Sequence, residues 1–115
     1  MNKRELGEFG EDKAAEYLKK QGYTIIKRNF KYARAEVDII ASRGEFLVFV
    51  EVKLRRNLNY GLPQSAVDFR KQNKIRKAAR FYLMNNKSDK KIRFDVISIQ
   101  IKDSKGQLKH FENAF

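Results

Sequence analysis

The sequence predicts a single α/β domain spanning residues 1–115, in which a buried β-hairpin is covered by helices. Three observations carry that expectation. The runs Val37 to Ala41 and Phe46 to Val52 are rich in β-branched and aromatic residues, and their nearly unbroken apolarity marks strands covered on both faces. Helical periodicity appears on either side of that hairpin, first up to Lys20 and again ending near Met84. A length of 115 residues is enough for one hydrophobic core and too short for two.

The first helix opens on Asn2 with Glu5 three residues later, a capping-box pattern, and closes before Gly22. At about 100° per residue, Leu6, Gly7, Gly10, Ala14, Ala15, Tyr17 and Leu18 share one half of the wheel. Between Glu5 and Lys20 the one charged residue in that half is Glu11. An ionised carboxylate carried toward a core needs either a Lys or Arg at its edge or a metal ion, and the helix pattern leaves both open. Tyr23 to Lys31 reads as a first strand, followed by the basic connection Lys31-Tyr32-Ala33-Arg34.

In the hairpin itself, Gly44-Glu45 is the expected two-residue turn, because Gly44 can take the positive φ demanded at its first central position. Pairing Arg43 with Phe46 then sets Asp38 opposite Glu51 and Glu36 opposite Lys53, with all four side chains on one face. A turn at Arg43-Gly44 would instead make Asp38 and Glu51 diagonal neighbours on that same face. Two opposed carboxylates at the end of a buried hairpin repel unless a cation lies between them, and a divalent metal is the simplest such cation.

Leu54 to Pro63 reads as a long basic loop in which Arg55 and Arg56 serve either as phosphate clamps or as a solvated tip. The second helix starts between Ser65 and Arg70 and turns Ile75, Ala78, Ala79 and Tyr82 inward, with Lys71 on the same stripe one turn earlier. Arg70, Lys74, Arg76, Lys77 and Arg80 spread over the rest of its surface without acidic partners, which makes it the expected backbone-contacting surface for a nucleic acid. Ile92 to Ile101 forms the next strand and completes a βαβ unit, Asp103 to Gly106 turns the chain, and Leu108 to Glu112 is an edge strand. His110, the lone histidine, reads as structural.

Composition narrows the chemistry. Twenty-six Lys and Arg against fourteen Asp and Glu give a net charge of +12, so a polyanion such as a nucleic acid is the expected partner. No run approaches a membrane span and no signal peptide is evident, which points to the cytoplasm and away from a membrane. The absence of Cys excludes disulfides, thiolate zinc sites and a Cys nucleophile, so any metal is held by oxygen and Mg²⁺ or Mn²⁺ is favoured. There is no Walker-type phosphate loop and no serine-histidine arrangement. Glu11, Asp38 and Glu51 as acids with Lys53 as amine match the needs of phosphodiester hydrolysis, in which bound metal polarises the phosphate and lowers the pKa of a water. The carbonyl of Val52 could add a ligand oxygen, and Lys53 could orient the attacking water or form a salt bridge to Glu36 across the hairpin.

Asp38, twelve intervening residues, then Glu51-x-Lys53 resembles the signature of the PD-(D/E)xK, or restriction-endonuclease-like, nuclease superfamily. The wider pattern is more specific. It comprises Gly7-x-x-Gly10-Glu11, Ala14, Tyr17-Leu18, Gly22-Tyr23, Arg28-Asn29, Glu36-x-Asp38-x-Ile40, Phe49-Val50-Glu51-Val52-Lys53-x-Arg55, Lys71, Ala78-Ala79, Arg93-Phe94-Asp95-Val96 and the closing Asn113-Ala114-Phe115. Over essentially the whole chain it resembles the YraN-like family of small bacterial proteins. The resemblance implies a restriction-endonuclease-like core, with a mixed central sheet between helices in the order αβββαβ, extended here by the edge strand. It also implies kinship with Holliday-junction resolvases and hence a two-fold homodimer. By the same resemblance Glu11, Asp38 and Glu51 are metal ligands, Lys53 the catalytic lysine and Lys71 an accessory group. Ala35 departs from the Gly that the family commonly places before Glu-x-Asp, which bears on the local backbone path. The functional expectation is a metal-dependent endonuclease acting on DNA, branched or junction DNA included, with a non-catalytic binding module on the same fold as the alternative.

Overall fold

The computed structural model describes residues 2–55, 67–102 and 105–115. Arg56, most of the basic loop after the hairpin, and the residues 103–104 of the last turn lie outside the described residues. The elements follow in the order α1 (Lys3–Lys20), β1 (Thr24–Tyr32), β2 (Ala35–Arg43), β3 (Phe46–Arg55), α2 (Phe69–Asn85), β4 (Lys91–Lys102) and β5 (Lys105–Phe111). The strands make one five-stranded sheet in sequence order. It is mixed, because the βαβ crossover through α2 sets β3 parallel to β4 while every other neighbouring pair is antiparallel. Among the described residues no helix is long and apolar enough to cross a membrane.

Each helix buries one stripe against one face of the sheet. Ala14, Ala15 and Leu18 of α1 pack with Ile39, Ala41, Val48, Val50, Ile97 and Ile99. Ile75, Ala78, Ala79 and Tyr82 of α2 pack on the opposite face with Ile40, Leu47, Phe49 and Val96. The small residues Gly10, Ala14 and Ala15 let α1 lie close to the sheet, whereas Gly7 is exposed, because the first two turns of the helix run past the sheet. The Asn2 side chain accepts from the Glu5 N–H at 2.9 Å and donates to its carboxylate at 3.0 Å, so the expected capping box closes side chain to side chain. Asp68 caps α2 by accepting from the Lys71 N–H at 2.8 Å.

The hairpin turn is at Gly44-Glu45 as expected, with Gly44 at φ 57° and Arg43 paired to Phe46. Along β3 the alternation is regular: Leu47 and Phe49 face α2, and Val48 and Val50 face α1. Glu51 and Lys53 therefore continue the α2 side. On β2 the alternation breaks at Asp38. Val37 belongs to the α2-side cluster while Ile39 and Ala41 belong to the other, a change that a strict period of two forbids. The β1 partner shows the same break, since pairs are formed at Arg28↔Ile39 and Phe30↔Val37 but not between Asn29 and Asp38, and Asn29 sits at φ 53°. The register is the same on both sides of this gap, so it is a local break in pairing that re-aims side chains; the register shift of this strand pair lies between Ile25 and Lys27. Ala35 lies within β2 opposite Tyr32 and packs its methyl in the α2-side core, so nothing local requires glycine there.

On the α1 side of the sheet a buried polar network ties β4 to β5 and the C-terminal residues. Arg93 makes a two-pronged contact with Asp95 at 2.9 Å for each prong, and His110 Nε2 lies 2.6 Å from Asp95 Oδ2. His110 Nδ1 meets the Tyr17 hydroxyl at 3.0 Å, and the Asn113 N–H donates to Asp95 at 3.0 Å. His110 is thus engaged on both ring nitrogens within a structural network.

Candidate functional site

The β2/β3 ladder ends at Ile39↔Val50, one step before Asp38 and Glu51. Beyond that pair the strands no longer exchange backbone bonds, and the Asp38 carboxylate takes over as acceptor for the Val52 N–H at 2.8 Å. Val52, expected to contribute through its carbonyl, thus meets Asp38 through its N–H, while its side chain packs on the α1 side. The Glu51 carboxylate lies close enough to Asp38 to disfavour its charge. Both acids are buried, at 9% and 4% exposure.

On one side of Asp38 stand Glu11 and Glu36. One carboxylate oxygen from each of Glu11, Glu36 and Asp38 lies within 4.8 Å of the others. Asn29, at its positive φ, holds the cluster by donating to Glu11 at 2.7 Å and to Glu36 at 3.3 Å. Arg28 reaches Asp12 at 2.8 Å and Glu11 at 3.8 Å. Glu11 therefore has the cationic partner that the helix pattern allowed, Arg28, and is also grouped with two other acids. On the other side of Asp38 stands Glu51, whose Oε1 is 3.2 Å from Lys71 Nζ of α2. Lys53 contacts Lys71 and feels both Glu51 and Asp38.

One expectation is corrected here. Glu36 and Lys53 do not face one another across the hairpin: the break in alternation at Asp38 turns Glu36 to the side of Glu11, where its cation is Lys31 at 3.8 Å. Lys53 stays on the α2 side with Lys71. Asp38 is left as the shared member of two acidic groups, which strict alternation would have merged into one.

The electrostatics follow from this crowding. Burial first, then the Glu51 carboxylate, push Asp38 up to about 9. Burial and then Lys71 hold the Lys53 ammonium below its ordinary value, against the pull of Glu51 and Asp38. Burial also opposes the charge on Lys71, but Glu51 outweighs it and the group ends above its ordinary value. Among the described residues, Glu51 Oε2 is the one buried side-chain oxygen or nitrogen without a hydrogen-bond partner. Native structures seldom leave such an atom unexplained. An all-oxygen donor set, a carboxyl that keeps its proton without a neighbouring cation, and an orphaned carboxylate oxygen together fit a hard divalent ion.

Glu36, Asp38, Glu51 and Asp68 line a cleft of about 320 Å³ whose basic wall is Arg34, Arg70, Lys71 and Lys74, with Glu11 grouped behind Glu36 and Asp38. Lys77 lines an adjoining groove. Arg76 is placed elsewhere: partly buried, it stacks over Phe94 at 5.8 Å and Phe115 at 5.3 Å, so it holds the C-terminus instead of facing the cleft. Arg76, expected among the cations of a backbone-contacting surface, thus meets aromatic rings, whereas Arg70, Lys71, Lys74 and Lys77 line the cleft and its adjoining groove. The sequence alone gives Asn29 and Arg34 no part in the site, and it sets Glu36 on the shared face by spacing, whereas the break in alternation at Asp38 places it beside Glu11.

A mixed five-stranded sheet between two helices, with acids and lysines converging where β2 and β3 part, defines an α/β protein with a restriction-endonuclease-like core. A family model described as uncharacterised protein family UPF0102 matches residues 10–99, and the chain belongs to that family. It is 46% identical to a UPF0102 protein of Dictyoglomus turgidum and 47% identical to one of Dictyoglomus thermophilum, in each case over 100% of both chains. A UPF0102 protein of Caldicellulosiruptor saccharolyticus is 44% identical over the same full extent.

Proposed function

We propose that the protein is an endonuclease that hydrolyses phosphodiester bonds in DNA, including branched or junction DNA, with Mg²⁺ or Mn²⁺ held in the acidic cleft. The observation that carries this reading is the meeting of Glu11, Glu36, Asp38 and Glu51 with Lys53 and Lys71 beside a basic wall. Asp38, Glu51 and Glu11 are the residues that would hold the ion. When bound, the ion supplies Lewis-acid polarisation of the phosphate and acidification of a water. The chain's own residues do the rest. Lys53 is placed to orient the attacking water and to offset charge gathering on the phosphate. Lys71 balances Glu51, and Arg70 and Lys74 hold flanking phosphates at the cleft wall. Arg55, half-buried beyond the hairpin's end, and Arg56 would extend that grip. Kinship with junction resolvases makes a two-fold dimer the expected working form.

The test uses purified protein with supercoiled plasmid, a four-way junction and structured RNA, in Mn²⁺ and then in EDTA. Cleavage of at least one DNA substrate is expected with metal only. Asp38→Asn and Lys53→Ala should each lower the rate by about a hundred-fold or more while leaving binding intact. Cleavage that survives both substitutions would trace to a contaminant and remove the reading. If binding neutralises about six phosphates, log affinity should fall against log salt with a slope of about −5, and a flat response would remove nucleic acid as the partner.

A further inference from the structure

A second groove, of about 310 Å³, adjoins the acidic cleft and shares Arg34, Ala35 and Lys74 with it. Tyr32, Ala33 and Lys77 complete its lining. Among the described residues its charged lining is therefore Arg34, Lys74 and Lys77, all exposed and all positive. The two grooves form one track that passes from acids and cations to cations alone.

The aromatic part of that lining is arranged in a way that packing alone does not need. Tyr32 stacks on Phe81 of α2 with ring centroids 4.2 Å apart and planes at 23°. Phe81 in turn stacks on Phe30 at 6.4 Å and 25°. Phe81 is thus the middle ring of a slipped column, and Tyr32 is its end ring and the one that lines the groove. Tyr32 is 38% exposed. A ring fixed from behind by its neighbour and open in front is a stacking platform, held still before anything binds.

We infer that this groove binds an unpaired stretch of nucleic acid next to the scissile phosphate, with a base stacked on Tyr32 and backbone phosphates on Arg34, Lys74 and Lys77. The inference rests on the nuclease reading above, because the groove opens from the acidic cleft. Cations alternating with an exposed ring suit a single strand, since each base has a π-face for the ring and each linkage a charge for a cation. A base within a continuous duplex has both faces covered by its neighbours and offers none to Tyr32. The groove therefore selects substrates whose paired region ends beside the cut, such as forks, flaps and the arms of opened junctions.

The experiment is fluorescence anisotropy on the full chain in EDTA, comparing a labelled blunt duplex with the same duplex carrying a single-stranded tail. The tailed probe should bind about ten-fold more tightly. Tyr32→Ala should abolish that advantage without changing affinity for the blunt duplex, Tyr32→Phe should retain it, and circular dichroism should show both variants folded. Equal affinity for the two probes, or a tail advantage that survives Tyr32→Ala, overturns the inference. So does tighter binding of a polyglutamate peptide than of the tailed probe, which would assign the groove to an acidic protein. The same probes incubated with Mn²⁺ separate the two readings. Cleavage without a tail advantage overturns the groove alone, and a tail advantage without cleavage under any divalent ion overturns the nuclease alone.

Discussion

Burial and the neighbouring Glu51 carboxylate raise Asp38 to about 9 in the folded chain, against an ordinary value of about 3.9 when unfolded. Between about pH 4 and about pH 9 the folded protein thus holds a proton that the unfolded chain releases. A raised carboxyl pKa makes stability fall as pH rises through that window, by up to about 1.4 kcal/mol per unit. Denaturant midpoints in a chelator should accordingly decline from pH 5 to pH 9. Asp38→Asn should flatten the decline and be the more stable protein at its alkaline end. Added Mn²⁺ should protect more strongly as pH rises, because the ligand must shed its proton to hold the ion. A midpoint independent of pH in the chelator would contradict the crowding of acids around Asp38. The partners of this residue were partly legible beforehand: the spacing of Asp38 and Glu51 implied opposition at the hairpin end, and the helical wheel turned Glu11 inward. Glu36 was not, because its position depends on Asn29 taking a positive φ, which no period of two anticipates.

At the scale of single elements, the β1–β2 and β2–β3 turns solve the same problem with different residues. Gly44 takes φ 57° with nothing within 4 Å of where a Cβ would stand. Ala33, in the β1–β2 turn, takes φ 54° with a methyl group attached. A left-handed conformation costs an L-residue about 1–2 kcal/mol, part of which the looser unfolded state of glycine gives back. Ala33→Gly should therefore raise stability by about 0.5–1 kcal/mol, and Gly44→Ala should lower it by about 1 kcal/mol. Thermal unfolding of the pair reads both signs, and a destabilising Ala33→Gly would contradict the observed turn. The Gly44 turn was legible because glycine before a polar residue between two apolar runs is a strong local signal. The Ala33 turn was visible only as a basic connection, since alanine carries no such signal. The start of α2 was bracketed instead of placed, and the structure shows why: Asp68 caps it, and no acidic first-turn residue follows to reinforce the signal.

Across the whole molecule, the acidic cleft is matched by a second buried polar group, the Arg93–Asp95–His110 network. Burial alone would raise Asp95, but the hydrogen bonds from His110, Arg93 and Asn113 outweigh it and hold the carboxyl below its ordinary value. A depressed carboxyl pKa stabilises the fold above about pH 4 and loses that contribution as pH falls through its native value. Asp95→Asn should cost about 1–3 kcal/mol at neutral pH, because it removes the buried carboxylate of Arg93 and leaves it the half-exposed Glu112 at 3.1 Å, and it should blunt acid unfolding. Equal urea midpoints for the two proteins would show that Arg93 is satisfied by Glu112 and Tyr23 alone. From sequence, His110 reads as structural, whereas Arg93 and Asp95 stand out only within a family pattern, because their partners lie on other elements and share no period with them. By itself the sequence determined the order of elements, the strand faces of β3, the turn at Gly44 and the approach of Asp38 to Glu51. These are local matters, set by side-chain alternation and backbone preference over a few residues. The tertiary structure alone decided that Glu36 joins Glu11, that Lys53 meets Lys71, that Arg76 leaves the basic wall, and that Tyr32 ends a column of rings. Each of those depends on a local break in strand pairing or on how a helix is rotated over the sheet, and such choices are settled by packing between segments that do not adjoin in the chain.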